Sequence, residues 1–267
     1  IKMGNLYDFH DLEPRGEPNA SFLMPEALTY NGHCLDQEIP RFYTMSTDGR
    51  NNFERELNAP AKVGDGNYYL SSRIKERTIS VNFFYDGDEN NNEQYIADMD
   101  KLKSILLVPN VKISFQDDKY YFIGTANLDV TEGGLKVEGK ITLTLADPYA
   151  HYDVPAISGS GNSATINDSE NLMFKRTLKM IKFTPSGSQP NFTITDSTSS
   201  LKVTTGVTAS NEMIFDFENL KFTIGGTNEV GYIALNSNFG DFQIKAGETL
   251  NFSTAGDYEI DYEVLKL

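Results

Sequence analysis

RTISVNF at residues 77–83 places Ile79, Val81 and Phe83 on one side of an extended chain and Thr78, Ser80 and Asn82 on the other. That period of two is the mark of a half-buried strand. Downstream, Tyr95, Ile96, Met99, Leu102 and Leu106 recur at three- and four-residue spacing, which predicts a helix packed by one face. Asn91 or Asn92 is placed to cap it, Glu93 sits near its positive end, and Lys101 and Lys103 sit towards its negative end. Pro109 stops it, because the residue before a proline is pushed out of the helical region. Val111, Ile113 and Phe115 then alternate with polar neighbours. Asp117-Asp118 turns the chain into residues 119–126, and Glu132-Gly133-Gly134 precedes a third alternating run, residues 137–145. Strand, helix, hairpin, strand is an α+β unit with one helix laid on a sheet, and the third run is expected to pair with the strand before it.

The alternation stops at Asp147-Pro148-Tyr149-Ala150-His151-Tyr152, and Ser158-Gly159-Ser160-Gly161-Asn162-Ser163 follows. A domain boundary is expected here, dividing the chain into residues 1–152 and 153–267. The second part offers strand-like runs at 177–183, 191–195, 201–204, 213–217, 221–224, 241–244, 249–252 and 258–264. Turn residues such as Pro185-Ser186-Gly187, Gly225-Gly226 and Ala255-Gly256-Asp257 separate several of them. So many strands without a helix predict a β-sandwich. The fold class is therefore mainly β, with 17 Phe, 14 Tyr and no Trp in 267 residues in keeping with short strands and turns.

Composition excludes several functions. The 23 Lys and Arg against 38 Asp and Glu leave a net charge of −15, the wrong sign for a protein that grips phosphate backbones. Divided after His151, the halves carry 15 basic against 24 acidic residues and 8 against 14, net −9 and −6, so neither is a basic module. One cysteine, Cys34, forms no internal disulfide, and three histidines with it are too few for a structural zinc site. The longest aliphatic run, residues 105–108, is far short of the roughly 20 residues of a membrane helix, and residues 1–7 lack the apolar core of a secretory signal. A soluble protein is expected.

The motifs that suggest chemistry are weak. Asp86-Gly87-Asp88-Glu89-Asn90-Asn91-Asn92 begins like a calcium loop, but an EF-hand starting at Asp86 needs Gly and Glu where Asn91 and Ala97 stand. A solvated turn that caps the helix is the better reading. His10, His33 and His151 lie far apart, and His33 and Cys34, as strand neighbours, point to opposite faces. Carboxylate pairs such as Asp98 with Asp100 or Asp117 with Asp118 are uninformative, because adjacent turn aspartates usually bond backbone or water. No nucleophile elbow, phosphate loop or dinucleotide fingerprint is present, so neither catalysis nor a cofactor is expected. An exposed tyrosine such as Tyr232 in the sandwich suits stacking on a sugar ring, which makes a carbohydrate-binding adhesion module the alternative function.

The order of particular motifs goes further than composition. LTYNG at 28–32, STDGR at 46–50, RIKERTISVNFF at 73–84, the helix, KYYFIG at 119–124 and LTLADPY at 143–149 together resemble the distal tail proteins of long-tailed phages and prophages of Gram-positive bacteria. FQIKAGE at 242–248 is similar to a late turn of that family, with Thr249 where Asn is common. The resemblance implies a galectin-like C-terminal sandwich and a homohexameric ring built by N-terminal domains, which joins the tail tube to the baseplate or tip and lets DNA pass. It implies as partners the tube protein, a tail-associated lysin or tip protein and a receptor-binding protein, with the product residing in the virion tail after assembly in the host cytoplasm. Arg77 and Asp147-Pro148-Tyr149 match the family signature and are expected to form the fold rather than a binding site.

Overall fold

A computed structural model describes residues 23–88, 90–131, 134–240 and 242–267. His10, Glu89, the Glu132-Gly133 step and Asp241 lie outside the described residues. The chain divides into two compact units between Ala150 and His151, and both are built mainly of strands.

In the first unit β1 (Leu28–Tyr30) and β2 (His33–Cys34) form a tight hairpin, with Asn31 and Gly32 at positive φ. A single helical turn, α1 (Leu35–Glu38), leads to β3 (Phe42–Asp48), then β4 (Arg55–Asn58), β5 (Ser71–Ile74) and β6 (Arg77–Asp86). α2 (Asn92–Leu106), β7 (Val111–Phe115), β8 (Tyr121–Val130) and β9 (Lys136–Leu145) complete it. β6 is the spine: it pairs antiparallel with β3 on one side and β9 on the other, and β9 pairs with β8 as its alternation predicts. β8 turns to a second partner along its length, its first residues pairing with β7, which pairs with β1. Arg77, Ile79, Val81, Phe83 and Tyr85 are buried and the residues between them are not. Each such apolar side chain withdrawn from water contributes about 1.5–3 kcal/mol.

α2 begins where its cap dictates, Asn91 Oδ1 accepting from the Gln94 amide at 3.1 Å. Its buried face differs from the expected stripe. Ile96 is half exposed, whereas Asp98 is buried beside Met99, Leu102, Ile105 and Leu106. Asp98 is tolerated there because the Tyr85 hydroxyl donates to it at 2.7 Å and Gln94 Nε2 at 2.8 Å. Burial first, and then the Asp98 carboxylate, push the Tyr85 phenol upward.

β10 (Ala150–Asp153) follows, where irregular chain was expected. The second unit continues with β11 (Ile157–Thr165), β12 (Lys175–Pro185), β13 (Phe192–Thr195), β14 (Ser200–Val203), β15 (Met213–Asp216), β16 (Lys221–Ile224) and β17 (Thr227–Asn228). A 3-10 turn (Val230–Tyr232), β18 (Gln243–Ile244) and β19 (Thr249–Lys266) close the chain. Its core is aromatic. The Phe183 ring lies 4.7 Å from both Phe192 and Phe252, and Phe215 stacks on Phe222 at 4.6 Å.

Two expectations fail here for one reason. The Ser-Gly run at 158–163, where regular strand was expected to stop, is the middle of β11, paired with β19 along its length, and Ala255-Gly256-Asp257 is not a break but the interior of β19. Both glycines serve close approach. A Cβ on Gly159 would meet the Tyr258 ring at 2.8 Å, and one on Gly256 would meet the Thr184 carbonyl at 2.3 Å. Among the described residues no helix is long and apolar enough to cross a membrane.

Candidate functional site

The signature residues Arg77, Asp147, Pro148 and Tyr149 meet in the first unit. Arg77, opening β6, is buried, and its Nη1 donates to the Pro148 carbonyl at 2.8 Å while Nη2 donates to the Arg50 carbonyl. Its guanidinium lies 5.4 Å from the Phe122 ring centroid, and burial lowers its pKa from the ordinary value. Asp147 Oδ1 accepts from the Tyr149 amide at 3.1 Å, which bends the chain so that the Pro148 carbonyl faces the arginine. One side chain thus ties the start of β6 to the turn after β9 and to the segment between β3 and β4.

A second arginine extends the knot. Arg50 reaches Asp117 at 2.8 Å and Asp118 at 3.6 Å and lies 4.3 Å over the Phe115 ring. Asp117 and Asp118 are the turn aspartates of the β7–β8 hairpin, so their carboxylates hold a structural cation rather than face one another.

That knot roots a feature the sequence pattern did not disclose. From Glu54 to Lys75 the chain runs out and back as a hairpin, with backbone bonds from Lys75 to Glu54, Leu70 to Asn58, Tyr68 to Pro60 and Lys62 to Gly66. Gly64 and Gly66, both at positive φ, shape its tip. Glu56 pairs with Arg73 at 2.6 Å and Glu54 with Lys75 at 2.8 Å across the strands. Among the described residues β4 and β5 pair only with each other, and Leu57, Val63, Tyr68, Tyr69 and Leu70 are each more than half exposed. Alternation could not reveal this arm because neither of its faces is buried.

The other edges of this unit are managed differently. Along β3 the amides of Thr44 and Thr47 are bonded by the carboxylates of Asp36, at 2.9 Å, and Glu26, at 2.6 Å, instead of by another strand. On β8 the Ala126 amide donates to the Tyr30 hydroxyl at 3.2 Å.

The remaining candidates are structural. Asp88 Oδ1 accepts from Asn90 N, Arg41 lies 3.8 Å from Asp88, and Asp86 pairs with Lys136 at 3.2 Å, so the described part of the calcium-like run is a turn joined to the helix cap. Among the described residues no group of three His, Cys, Asp or Glu is placed to hold a metal. His33 pairs with Glu38 at 2.7 Å. Cys34 is partly covered, and burial pushes its thiol up, away from thiolate chemistry. His151 Nδ1 lies 3.1 Å from Glu263 in the second unit. There Tyr232 ends the 3-10 turn, far in sequence from the signature; its carbonyl accepts from Thr204 and its ring is 44% exposed.

The second unit holds its own buried arginine. Arg176 donates to Asp168 at 2.7 and 3.0 Å and to the carbonyls of Asn171 and Phe174, and the Tyr262 hydroxyl donates to Asp168 at 3.0 Å. Burial acts to raise the Asp168 carboxyl, but hydrogen bonds from Arg176, the Glu170 amide and Tyr262 outweigh it and leave its pKa below the ordinary 3.8.

With this geometry in hand, comparison with known proteins is specific. Residues 175–264, about a third of the chain, match the model of the siphovirus-type tail component, C-terminal domain. Among solved structures, the SPP1 Dit (gp 19.1) protein, described as a paradigm of hub adsorption apparatus in Gram-positive infecting phages, matches over 90% of this chain and 99% of its own. Its TM-score is 0.72 at 15% identity. Chains of the phage p2 baseplate in its activated conformation, with Sr and with Ca, match 85% and 83% of this chain and 91% and 90% of theirs. Their identities are 11% and 12%, and their TM-scores 0.42 and 0.41. The curated proteins contain no match. The fold is that of a phage tail protein of the distal tail type, mainly β throughout. These findings support a distal tail protein family: the C-terminal residues 175–264 match its model, and the fold is similar to that of SPP1 Dit.

Proposed function

We propose that the chain is a structural hub of a long-tailed phage or prophage tail, without enzymatic activity. Six copies close into a ring that joins the tail tube to the baseplate or tip and lets DNA pass. The observation that carries this is the family match over residues 175–264, together with a fold that follows SPP1 Dit across nearly the whole chain. In this reading the first unit builds the ring, the second projects from it, and the neighbours are the tube protein, a tip protein or tail-associated lysin, and a receptor-binding protein. The chain is made in the host cytoplasm and ends in the virion tail.

The physics of the chain supports the role. A closed ring is the economical way to satisfy strands that lack neighbours without runaway growth. Six copies at −15 each total −90, a sign that repels phosphates. The face of β6 and β9 turned from the core carries Thr78, Ser80, Asn82, Thr142 and Thr144, and its charged groups, Lys136 and Lys140 against Asp86 and Glu138, add no net positive charge.

Light scattering on the purified chain tests the ring, which predicts a species near six times 29.8 kDa. A monomer at every concentration, together with absence of the polypeptide from purified tails, would overturn the reading.

A further inference from the structure

The second unit leaves one long strand edge open. β11 pairs with β19 twice, residues 157–161 against 256–260 and, past a bulge at Gly161 and Ser163, residues 163–165 against 249–251. Among the described residues no strand has a register with its other side, so alternate amides and carbonyls there face away from any partner. Natural edges are blunted by charge, proline or capping side chains. β3 in the first unit is closed in that way by Asp36 and Glu26. Residues 157–161, Ile-Ser-Gly-Ser-Gly, carry neither charge nor proline, and among the described residues no side chain caps their amides. The backbone of this edge is therefore available to another chain.

Next to that edge lies a line of negative charge. β19 carries Asp257, Glu259, Asp261 and Glu263 at every second residue, while Ile260, Tyr262 and Val264 between them are buried, so the four carboxylates share the outer face. Lys182 pairs with Glu259 at 2.8 Å and Lys179 lies 3.6 Å from Glu263. Asp257 and Asp261 stand in no ion pair among the described residues. Ser158 is opposite Glu259 and Ser160 opposite Asp257, so only serine side chains separate these carboxylates from the open edge. A trough of about 290 Å³ opens across this face, lined by Ser158, Lys182, Thr184, Glu212, Asp257 and Glu259. Its charged lining is three carboxylates against one ammonium.

We infer that β11 takes up an extended segment of another protein as an added strand, one with Lys or Arg at alternate positions on the side of the β19 carboxylates. Backbone bonds to residues 157–161 hold the segment, and its alternate side chains supply the selectivity. An added strand lies about 4.8 Å from β11 and so about 10 Å from β19. A long cationic side chain and a carboxylate close that gap between them, its stem lying over Ser158 and its head in the trough. A second copy of β11 fits worse, because its serines and glycines bring no cation to this face. The inference concerns the second unit alone and goes beyond the hub role, depending neither on the ring nor on a tail.

The test titrates the full chain with two end-blocked synthetic peptides, Thr alternating with Lys in one and with Glu in the other, at low salt. Binding is followed by fluorescence anisotropy and its place by amide hydrogen exchange. The Lys peptide should slow exchange at residues 157–161, leave residues 44–47 unchanged, and bind about tenfold or more tightly than the Glu peptide. Asp257→Asn with Asp261→Asn should weaken it several-fold, and Ser158→Lys with Ser160→Lys should abolish it, with the slow exchange of β12 retained in both chains. No protection at millimolar peptide, protection of another strand, equal binding of the two peptides, or undiminished binding by the lysine-substituted edge would each overturn the inference. So would protection of residues 157–161 that rises with protein concentration in the absence of peptide, which gives the edge to a second copy. Finding or failing to find a six-fold species moves none of these readouts.

Discussion

The two units each bury one arginine, and they do it by opposite means. Arg176 sits against Asp168, the ion pair gathering the loop between them through the Asn171 and Phe174 carbonyls. Arg77 has carbonyl partners and, among the described residues, no carboxylate within ion-pair distance. A charge neutralised by a partner makes a stiff local knot that fails badly when one member is lost. A charge spread over backbone carbonyls ties distant segments together at a lower cost of disruption. The second unit thus locks a loop beside one strand, and the first secures the root of an arm to the turn after β9.

Removing Asp168 puts that contrast under the greatest load. Asp168→Ala leaves the Arg176 guanidinium buried without its counter-charge and should cost about 3–5 kcal/mol in guanidinium unfolding of the second unit. A loss below about 1 kcal/mol would mean the pair is solvated. Acid probes the same knot more gently. The folded Asp168 pKa is depressed, so its contribution is fully present above the ordinary 3.8 and is lost as pH falls through the folded value. Wild type and Asp168→Asn should converge in stability below that point, and a constant gap down to strong acid would contradict the assignment.

Arg77→Met strips two carbonyls of a donor and should cost about 1–3 kcal/mol. Amide exchange should quicken at residues 50–53 and 147–149, and unchanged exchange there would remove Arg77 as the fastening of the arm. Tyr85→Phe deletes the hydroxyl that satisfies Asp98, an effect of about 1 kcal/mol on the first unit. Thermal melts should show it smaller than Arg77→Met. The smallest effect belongs to the arm. Arg73→Gln breaks an exposed cross-strand pair and should leave the unfolding midpoint where it was. A clear destabilisation would show that the arm packs on its own unit.

Where one face of a strand is buried, its pattern is plain in the residues. β6, β7, β8, β9 and the capped helix are visible because burial imposes a period on side-chain chemistry. Asp98 and the Ser-Gly strand were not visible, because a partner far away in sequence reverses what composition suggests: a tyrosine hydroxyl makes a core aspartate acceptable, and a tyrosine ring lies against the glycine in β11. The signature residues were legible as types, and their joint hold on Arg50 was not.

By itself the sequence determined the class of protein, the helix with its cap, the central strands and the acidity, all of which arise from local pattern, charge count and motif order. Only the tertiary structure decided that residues 54–75 stand out as an arm and that β3 closes its own edge with carboxylates. These depend on which groups lack neighbours in space. A chain written in one dimension records what each residue offers and leaves open what comes to meet it.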